Sequence, residues 1–400
     1  MSDPPGPQAR RLAEQVLSRN WIEGVRGEVP FAYTRPSPTR YPWQWYWDSC
    51  FCAIAWRRFD PARARAELET LLRAQRPDGF IGHTIFWERP VSLLRLPFYN
   101  VPSRRAFSTE TIQPPLLAWA WRIATGEDPS GHAGIEAQAR WLTSARDLDG
   151  DGLLWIVQPD ESGLDASPKF DPIWGRRANG RIGFPCLVRR NRRLGFGARE
   201  ILAAGGPLVC ETVTNTLWGL SRLSLGRPSI TPALIDRLWD EDRGLFLDEV
   251  RPADRSPAVS TWAALAPLAL PDLPEAIGHR LIAEQLLEEG RFWTPVAPPS
   301  VSAAEPSYEP GGGRGLIRRY WRGPTWVNSA WLVWIGLRRL AYRDEADELA
   351  RRICGAVARE GLREYYDPHT GAGLGARDFG WSALVAELAD PDPAAARSYL

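Results

Sequence analysis

Three acidic residues stand inside aromatic-rich segments, and they are the first candidates for chemistry. Asp48 ends the segment YPWQWYWD, Asp165 lies in ESGLDASP, and Glu364 begins EYYDPHTG. Hydrolysis of a glycoside needs one protonated carboxyl that assists the leaving oxygen and one ionised carboxyl that activates water or attacks the sugar. Aromatic walls stack on sugar and lower the local dielectric, which raises the acid's pKa toward neutrality. Carboxylates on separate loops around one cavity therefore favour glycoside hydrolysis.

Other kinds of catalysis find little support in the sequence. No GxGxxG follows a predicted strand, and neither a Walker motif, nor HExxH, nor a nucleophile elbow occurs. Asp147, Asp149 and Asp151 match the first half of a calcium loop, but its twelfth position is Gln158 instead of the bidentate Glu, which favours a simple turn. The chain has four histidines, without the spacing of a metal-ligand pair: His83, His132, His279 and His369. We expect no metal and no cofactor.

Composition narrows the classes of partner. The chain has 400 residues, and 49 basic against 48 acidic side chains give a net charge of +1, so no overall attraction to nucleic acid or anionic lipid is expected. Five cysteines form no disulfide framework, which favours reduced thiols. The first residues hold no apolar leader and no uncharged apolar run is long enough to span a membrane, so the cytoplasm is the expected location. We expect a small-molecule glycoside as partner, and a homo-oligomer is left open.

Hydrophobic periodicity predicts about a dozen helices. They lie near 7–19, 46–58, 61–75, 109–124, 133–145, 211–224, 231–239, 259–270, 275–287, 324–341, 344–360 and 378–388. Residues 324–341 are apolar nearly all round, whereas 344–360 are clearly two-faced. Helices of these two kinds, alternating along the chain, suggest an inner ring wrapped by an outer one. Strand signals are few and fall at 153–158 and 185–188.

Long irregular segments separate these helices, at 21–45, 78–107, 146–210 and 291–321. Loops of such length in a compact domain are usually functional or mobile. The last of them holds Gly311, Gly312 and Gly313, which predicts either a hinged lid or a surface loop.

Five segments, in this order, resemble glycoside hydrolase family 63, above all its small bacterial members that act on mannosylglycerate and glucosylglycerate. The segments are RYPWQWYWDSCF, TIQPP, ESGLDASPKFD, YWRGPTW and EYYDPHTGAG followed by FGWSA. They run from Tyr41 to about Trp381. The resemblance implies an all-α fold, an (α/α)6 barrel with minor β-structure, formed as one catalytic domain over 1–400. It also implies an inverting mechanism.

The resemblance also implies roles for individual residues. Asp165 corresponds to the general acid and Glu364 to the general base. The residues expected to bind the departing sugar are Tyr41, Trp45, Asp48, Gln113, Trp321, Trp326 and Trp381. Tyr320 is expected to contact glycerate, whose carboxylate calls for a bidentate arginine; Arg190, in the Arg-rich stretch 176–199, is the candidate.

Simpler structural roles remain open for the same residues. Asp48 could be a helix N-cap, Gln113 could pair at a helix start, and Asp165 could merely form a turn. Tyr41 and Trp45 could be core aromatics, and Glu364 could be a solvated acid after a helix.

The implied activity is hydrolysis of 2-O-(α-D-mannosyl)-D-glycerate to mannose and D-glycerate. Two alternatives stay open: a glucosylglycerate hydrolase of the same family, and a non-catalytic sugar-binding α/α barrel. The two sugars differ only in the orientation of the 2-hydroxyl, which one sequence does not resolve.

Overall fold

The computed structural model describes residues 5–126, 128–180, 182–252, 259–311, 320–390 and 399, and it is rich in helix. Within these residues the helices are α1 (Pro5–Asn20), α2 (Tyr46–Trp56), α3 (Pro61–Arg73), α4 (Leu117–Thr125), α5 (His132–Arg146), α6 (Asp171–Trp174), α7 (Arg176–Asn179), α8 (Phe184–Arg193), α9 (Ala198–Ala203), α10 (Thr212–Ser224), α11 (Thr231–Leu238), α12 (Glu275–Leu281), α13 (Val327–Arg339), α14 (Arg343–Glu360) and α15 (Val385–Ala389). Two 3₁₀ segments, Trp262–Ala269 and Gly380–Leu384, also belong to the core.

The strands are short and pair locally in the described residues. They are β1 (Trp21–Arg26), β2 (Val29–Thr34), β3 (Gln44–Trp45), β4 (Thr84–Ile85), β5 (Trp155–Ile156), β6 (Leu208–Cys210), β7 (Trp239–Asp240), β8 (Leu245–Phe246), β9 (Glu249–Arg251), β10 (Arg363–Tyr366) and β11 (Gly373–Arg377). All pairs are antiparallel: β1–β2, β3–β4, β5–β6–β9, β7–β8 and β10–β11.

Six buried helical segments pack in succession through the middle of the described part of the chain. They are α2, α4, α10, the segment Trp262–Ala269, α13, and the segment Gly380–Leu384 with α15; each packs on the next, and the last packs on α2. Every residue of α2 is buried, because its sequence YWDSCFCAIAW is largely apolar on all sides, and even the polar Asp48 and Ser49 are enclosed. These segments form the core.

Two-faced helices cover the outside of this core. In α14, Leu349, Ile353 and Val357 are buried on one stripe, while the arginines and acids face outward. α14 packs on α1, α13 and α15, and α3 packs on α2 and α4. Both helix types predicted from the sequence are therefore present, and the loops at one end of the buried segments carry the site.

Several predicted elements were wrong in type or extent. Residues 185–188, predicted as a strand, lie inside α8, and the stretch 146–210, predicted as irregular, holds the short helices α6 to α9. The helix predicted at 259–270 is a 3₁₀ segment, Trp262–Ala269, and Pro267 lies inside it. The helix predicted from 109 begins at Leu117, after two prolines. Of the predicted lid glycines, Gly312 and Gly313 lie outside the described residues.

In the described ranges, no helix combines the length and the apolar character that a membrane span requires.

Candidate active site

A cavity of about 230 Å³ opens among the loops, and it gathers most of the predicted site residues. Those that line it are Tyr41, Trp45, Asp48, Gln113, Asp165, Tyr320 and Trp381. Their positions in the sequence span more than 300 residues, from Tyr41 to Trp381. Only folding of the whole chain brings them together.

Asp165 lies on a tightly fixed loop and is exposed to the cavity that it lines. Gly163 precedes it with φ of +74°, and a Cβ at this glycine would come within 2.3 Å of the Trp47 ring, so only glycine fits. Ala166 follows with φ of +62°, an uncommon left-handed conformation for alanine. This backbone aims the Asp165 carboxyl into the cavity, which a simple surface turn would not require.

Glu161 fixes the same loop through buried hydrogen bonds and an ion pair. Its carboxylate accepts hydrogen bonds from the backbone N–H groups of Ile112 (3.0 Å) and Val157 (2.8 Å), and it forms a buried ion pair with Arg146. A buried carboxylate with this many donors is fully satisfied and rigid. Lys169, four residues after Asp165, is buried against Glu211 and Asp248, so the far side of the loop is fixed as well.

The environment of Asp165 suits a proton donor. The enclosing cavity walls desolvate the Asp165 carboxyl and raise its pKa to about 6, and the charge of Glu364 contributes to the rise. The electrostatic effect of Glu364 on Asp165 indicates that the two carboxyls lie near each other.

Glu364 lies on β10, at a bulge opposite β11. The register shifts between Arg363, paired with Arg377, and Tyr365, paired with Leu374. Such a bulge bends the strand and redirects a side chain. Glu364 Oε2 accepts a hydrogen bond from the N–H of Ala376 at 2.8 Å. A side chain at Gly375, whose φ is +68°, would collide with that same oxygen at 2.5 Å.

Two tyrosines connect Glu364 to the cavity. Glu364 is fully buried and is not itself among the lining residues; the hydroxyl of Tyr320, which lines the cavity, donates to Glu364 Oε1. The hydroxyls of Tyr41 and Tyr320 are 3.1 Å apart, and Arg40 Nη1 stands 3.6 Å from Glu364 Oε2. Glu364 is therefore no solvated surface acid, and it reaches the cavity through a phenolic hydroxyl.

Asp48 and Gln113 both lie at the start of α2, Asp48 in its first turn and Gln113 hydrogen-bonded to it from another segment. Trp45 is the N-cap residue of α2, so Asp48 is not the cap; it is buried in the first turn and lines the cavity. Burial raises the pKa of Asp48 well above its usual value, with a further contribution from the charge of Glu364. Gln113 Oε1 accepts the N–H of Trp47 at 3.0 Å, so it does pair at a helix start while also lining the cavity.

Two predicted sugar-stacking residues lie one layer behind the cavity. Trp321 and Trp326 are buried and stack on each other with centroids 3.9 Å apart and planes 6° apart. Trp47 and Trp381 line the cavity in front of them, with Trp381 5.6 Å from Trp326. The prediction that Trp321 and Trp326 contact the sugar is corrected by this packing. Both rings lie behind the residues that line the cavity and support its wall.

The predicted glycerate contacts are also revised by the structure. Arg190 is exposed on α8, its Nε donates to Asn191 Oδ1 at 3.1 Å, and it does not line the cavity; its guanidinium lies near Gly206. Tyr320 does line the cavity, but its hydroxyl serves Glu364. α8 turns Arg190 outward because its buried face is formed by Leu187, Val188 and Asn191.

Sequence reasoning missed several residues that line the cavity. They include Trp47, His83, Asn100, Asp160, Asn179 and Phe379. Trp47 and Phe379 stand within the quoted aromatic segments and offered a signal. Asp160 directly precedes ESGLDASP. Nothing in the sequence around His83 or Asn100 points to a site, because each is brought in by a loop.

Comparisons with known proteins identify the family of the chain. The model of the family described as "Mannosylglycerate hydrolase MGH1-like glycoside hydrolase domain" matches residues 41–203 and 227–382. The chain belongs to this glycoside hydrolase family. The predicted resemblance to family 63 is thereby confirmed, and the protein is a glycoside hydrolase.

Individual relatives cover nearly the whole chain. A mannosylglycerate hydrolase of Thermus thermophilus is 31% identical over 94% of this chain and 98% of its own. A solved structure of the family 63 mannosylglycerate hydrolase of Thermus thermophilus, in complex with Tris and D-glycerate, has a TM-score of 0.78 at 30% identity and covers 95% of this chain and 99% of its own. A glucosylglycerate hydrolase of Mycolicibacterium hassiacum is 24% identical over 90% of this chain and 94% of its own.

Proposed function

We propose that this glycoside hydrolase cleaves 2-O-(α-D-mannosyl)-D-glycerate to mannose and D-glycerate with inversion at the anomeric carbon. The observation that carries the proposal is the placement of two acids around one cavity. Asp165 lines it and has a raised pKa, and Glu364 is buried behind it, accepting hydrogen bonds from the lining residue Tyr320 and from the N–H of Ala376. The name of the Thermus thermophilus relative supports the substrate.

In this mechanism Asp165 is the general acid. Its raised pKa keeps part of the population protonated near neutrality, and its carboxyl opens onto the cavity where the glycosidic oxygen must lie. It donates its proton to that oxygen as the bond to the anomeric carbon breaks. D-glycerate then departs as the alcohol.

Glu364 is the general base on the opposite face of the sugar. Water held at the hydroxyls of Tyr41 and Tyr320 is one hydroxyl away from the Glu364 carboxylate, which receives its proton as the water attacks. Inverting enzymes separate their two carboxyls by roughly 6.5–9.5 Å to leave room for this water. The tyrosine pair between Glu364 and the cavity is consistent with such a gap.

The remaining lining residues hold the mannose ring. Trp45, Trp47 and Trp381 supply aromatic surface to stack on its C–H faces. Asp48 and Gln113 supply hydrogen bonds to hydroxyls at the ring's other edges.

We also propose that the helices form an (α/α)6 barrel. The succession of six buried segments that returns from Gly380–Leu384 to α2, with two-faced helices outside, supports this arrangement. It would place the cavity at one end of the inner ring, where the loops meet.

Glucosylglycerate is the second candidate substrate, favoured by the similarity to the Mycolicibacterium hassiacum enzyme. The deciding experiment compares the release of mannose and glucose from the two glycerate glycosides by the same purified protein. Faster release of mannose is expected. Proton NMR of the first product should show the β-anomer, since the substrate is an α-glycoside; an initial α-anomer would refute inversion. Binding of either compound without sugar release would identify a non-catalytic sugar-binding protein.

A further inference from the structure

Asp160 is a third carboxyl at the cavity, with no role in the mechanism so far. It is buried and lines the cavity. Its Oδ2 accepts from Asn100 Nδ2 at 2.5 Å and its Oδ1 from Gln158 Nε2 at 2.6 Å. Gln158 is held in turn by Asn191, whose Nδ2 donates to it at 3.0 Å. A carboxyl fixed by two side-chain amides is a built position, and its orientation is determined before any ligand arrives.

His83 and Asp160 lie close enough for one ligand oxygen, beside the line that joins them, to contact both. His83 Nδ1 is 3.7 Å from Asp160 Oδ2, too long for a direct hydrogen bond. This nitrogen is buried and has no hydrogen-bond partner among the described residues. A ligand oxygen about 2.8 Å from both atoms would satisfy it. Buried polar groups left without partners in this way point to a missing ligand or water.

Asp160 lies at the Asp165 end of the cavity. Asp160 lies in the turn Pro159–Ser162, on the same loop as Asp165, and among the neighbouring charges that of Asp165 acts on it most strongly. In an inverting reaction the water and the leaving group occupy opposite faces, and the leaving group lies beside the acid. Asp160 is therefore beside the leaving group and away from the water.

We propose that Asp160 selects the leaving group. It donates a hydrogen bond to the carboxylate of the leaving group, at the position that His83 Nδ1 also faces. This inference rests on the proposed function, because it assumes that Asp165 is the acid.

The proton that Asp160 needs is retained at neutral pH. Burial, and after it the charge of Asp165, raise the pKa of Asp160 to about 8. His83 stays neutral, since burial lowers its pKa to about 3. Below pH 8 Asp160 is thus a donor to an anionic leaving group, and above pH 8 it becomes an anion that repels it.

The other charged groups around Asp160 are already committed. Glu161, on the same loop, is paired with Arg146. Arg192, on α8, donates to the backbone oxygens of Leu96 and Tyr99. The charge of Glu161 still contributes to the raised pKa of Asp160, after that of Asp165, while the hydrogen bonds from Gln158 and Asn100 oppose the rise.

The test compares two substrates that differ only in charge: α-mannosyl-D-glycerate and the α-mannoside of glycerol. Both need Asp165, so the ratio of their kcat/KM values cancels its titration. For the wild-type protein the ratio, anionic over neutral, should fall about tenfold from pH 7 to pH 9, because one unit above the pKa leaves about a tenth of Asp160 protonated. In Asp160→Asn, which keeps an amide donor, the ratio should not change with pH.

Asp236→Asn, a surface change on α11, is the matched control and should behave as the wild type. A wild-type ratio that is constant with pH, or an equal fall in Asp160→Asn, would overturn the assignment of Asp160. If neither mannoside is hydrolysed, the proposed function fails separately. In that case, thermal unfolding is measured with D-glycerate and with glycerol at pH 7 and pH 9. The role of Asp160 is supported if D-glycerate stabilises the protein at pH 7 and this stabilisation disappears at pH 9 only in the wild type. Any other pattern rejects it.

Discussion

Replacing Asp165 by Asn should separate protonation of the leaving group from all other parts of catalysis. The amide has the same shape as the acid, and the surrounding loop is fixed by Gly163 and by the buried pair of Glu161 with Arg146. The fold should therefore survive, while the proton that assists departure of the aglycone is lost.

The size of the effect depends on how much the leaving group needs a proton. A positioned general acid contributes about 10²–10⁴-fold, so kcat/KM for mannosylglycerate should fall by that factor. Fluoride leaves without protonation. Hydrolysis of α-D-mannosyl fluoride should therefore fall by less than about tenfold in the same variant, because only the general acid has been removed.

The wild-type pH profile provides a second measure of the same residue. Asp165 must be protonated to act, and its pKa lies at about 6. As pH rises through 6 the active fraction declines, so kcat/KM for mannosylglycerate should fall about tenfold between pH 7 and pH 8. With the fluoride this alkaline limb should be absent.

The assay follows mannose by a coupled reaction and fluoride by an ion-selective electrode, with circular dichroism as the check on folding. Glu364→Gln is the matched control, because the base is needed for both substrates and both rates should collapse. Equal losses on the two substrates in Asp165→Asn, or no loss at all, would refute the role of Asp165 as acid.

Three further predictions concern the support of the site. Gly163→Ala should lower the Tm in calorimetry through a clash with Trp47 and left-handed strain of about 1–2 kcal/mol; Gly27→Ala, with the same strain but open space, should lower it less. Tyr320→Phe should reduce kcat about tenfold to a hundredfold with KM little changed, since it removes the donor to Glu364; a change confined to KM would contradict this. Burial raises the pKa of Glu67 to about 8, so the free energy of unfolding should fall as pH rises from about 4.5 to 8. In denaturant titrations Glu67→Gln should flatten this dependence on pH, and an unchanged slope would contradict the prediction.

The sequence predicted the helices better than the loops, for a physical reason. An apolar helix such as α13 or a two-faced one such as α14 carries its own periodic pattern. The stretch 146–210 has no such period, because α6 and α7 have four residues each and are fixed by contacts with other segments. An example is Asp171, whose carboxylate binds Arg322 at 2.6 Å. Tertiary contacts of this kind leave no local pattern in a sequence.

The site was predictable where chemistry and aromatic context coincide in one segment. Asp165, Tyr41 and Trp45 met that condition and line the cavity. Trp326 met it as well, yet it packs behind Trp381, because a segment shows which rings are near a site but not which layer they occupy. His83 and Asp160 face each other from loops 77 residues apart in the chain, a pairing that only the fold creates.

The proposed mechanism gives the two acids opposite tasks, and their surroundings differ accordingly. Asp165 opens onto a cavity whose walls penalise its charge, and that penalty holds the proton it must give away. Glu364 is enclosed by the Tyr320 hydroxyl and the Ala376 N–H, with Arg40 nearby, so the charge it needs as a base is met by donors. The bulge at β10 and the glycine at 375 make room for these donors. Gly375→Ala, whose Cβ would collide with Glu364 Oε2 at 2.5 Å and with the Tyr365 ring at 2.6 Å, should consequently impair catalysis on the Glu364 side of the site. Hydrolysis of mannosylglycerate and of the fluoride should fall together, in contrast to Asp165→Asn. A loss confined to mannosylglycerate would show that the two acids are not supported independently.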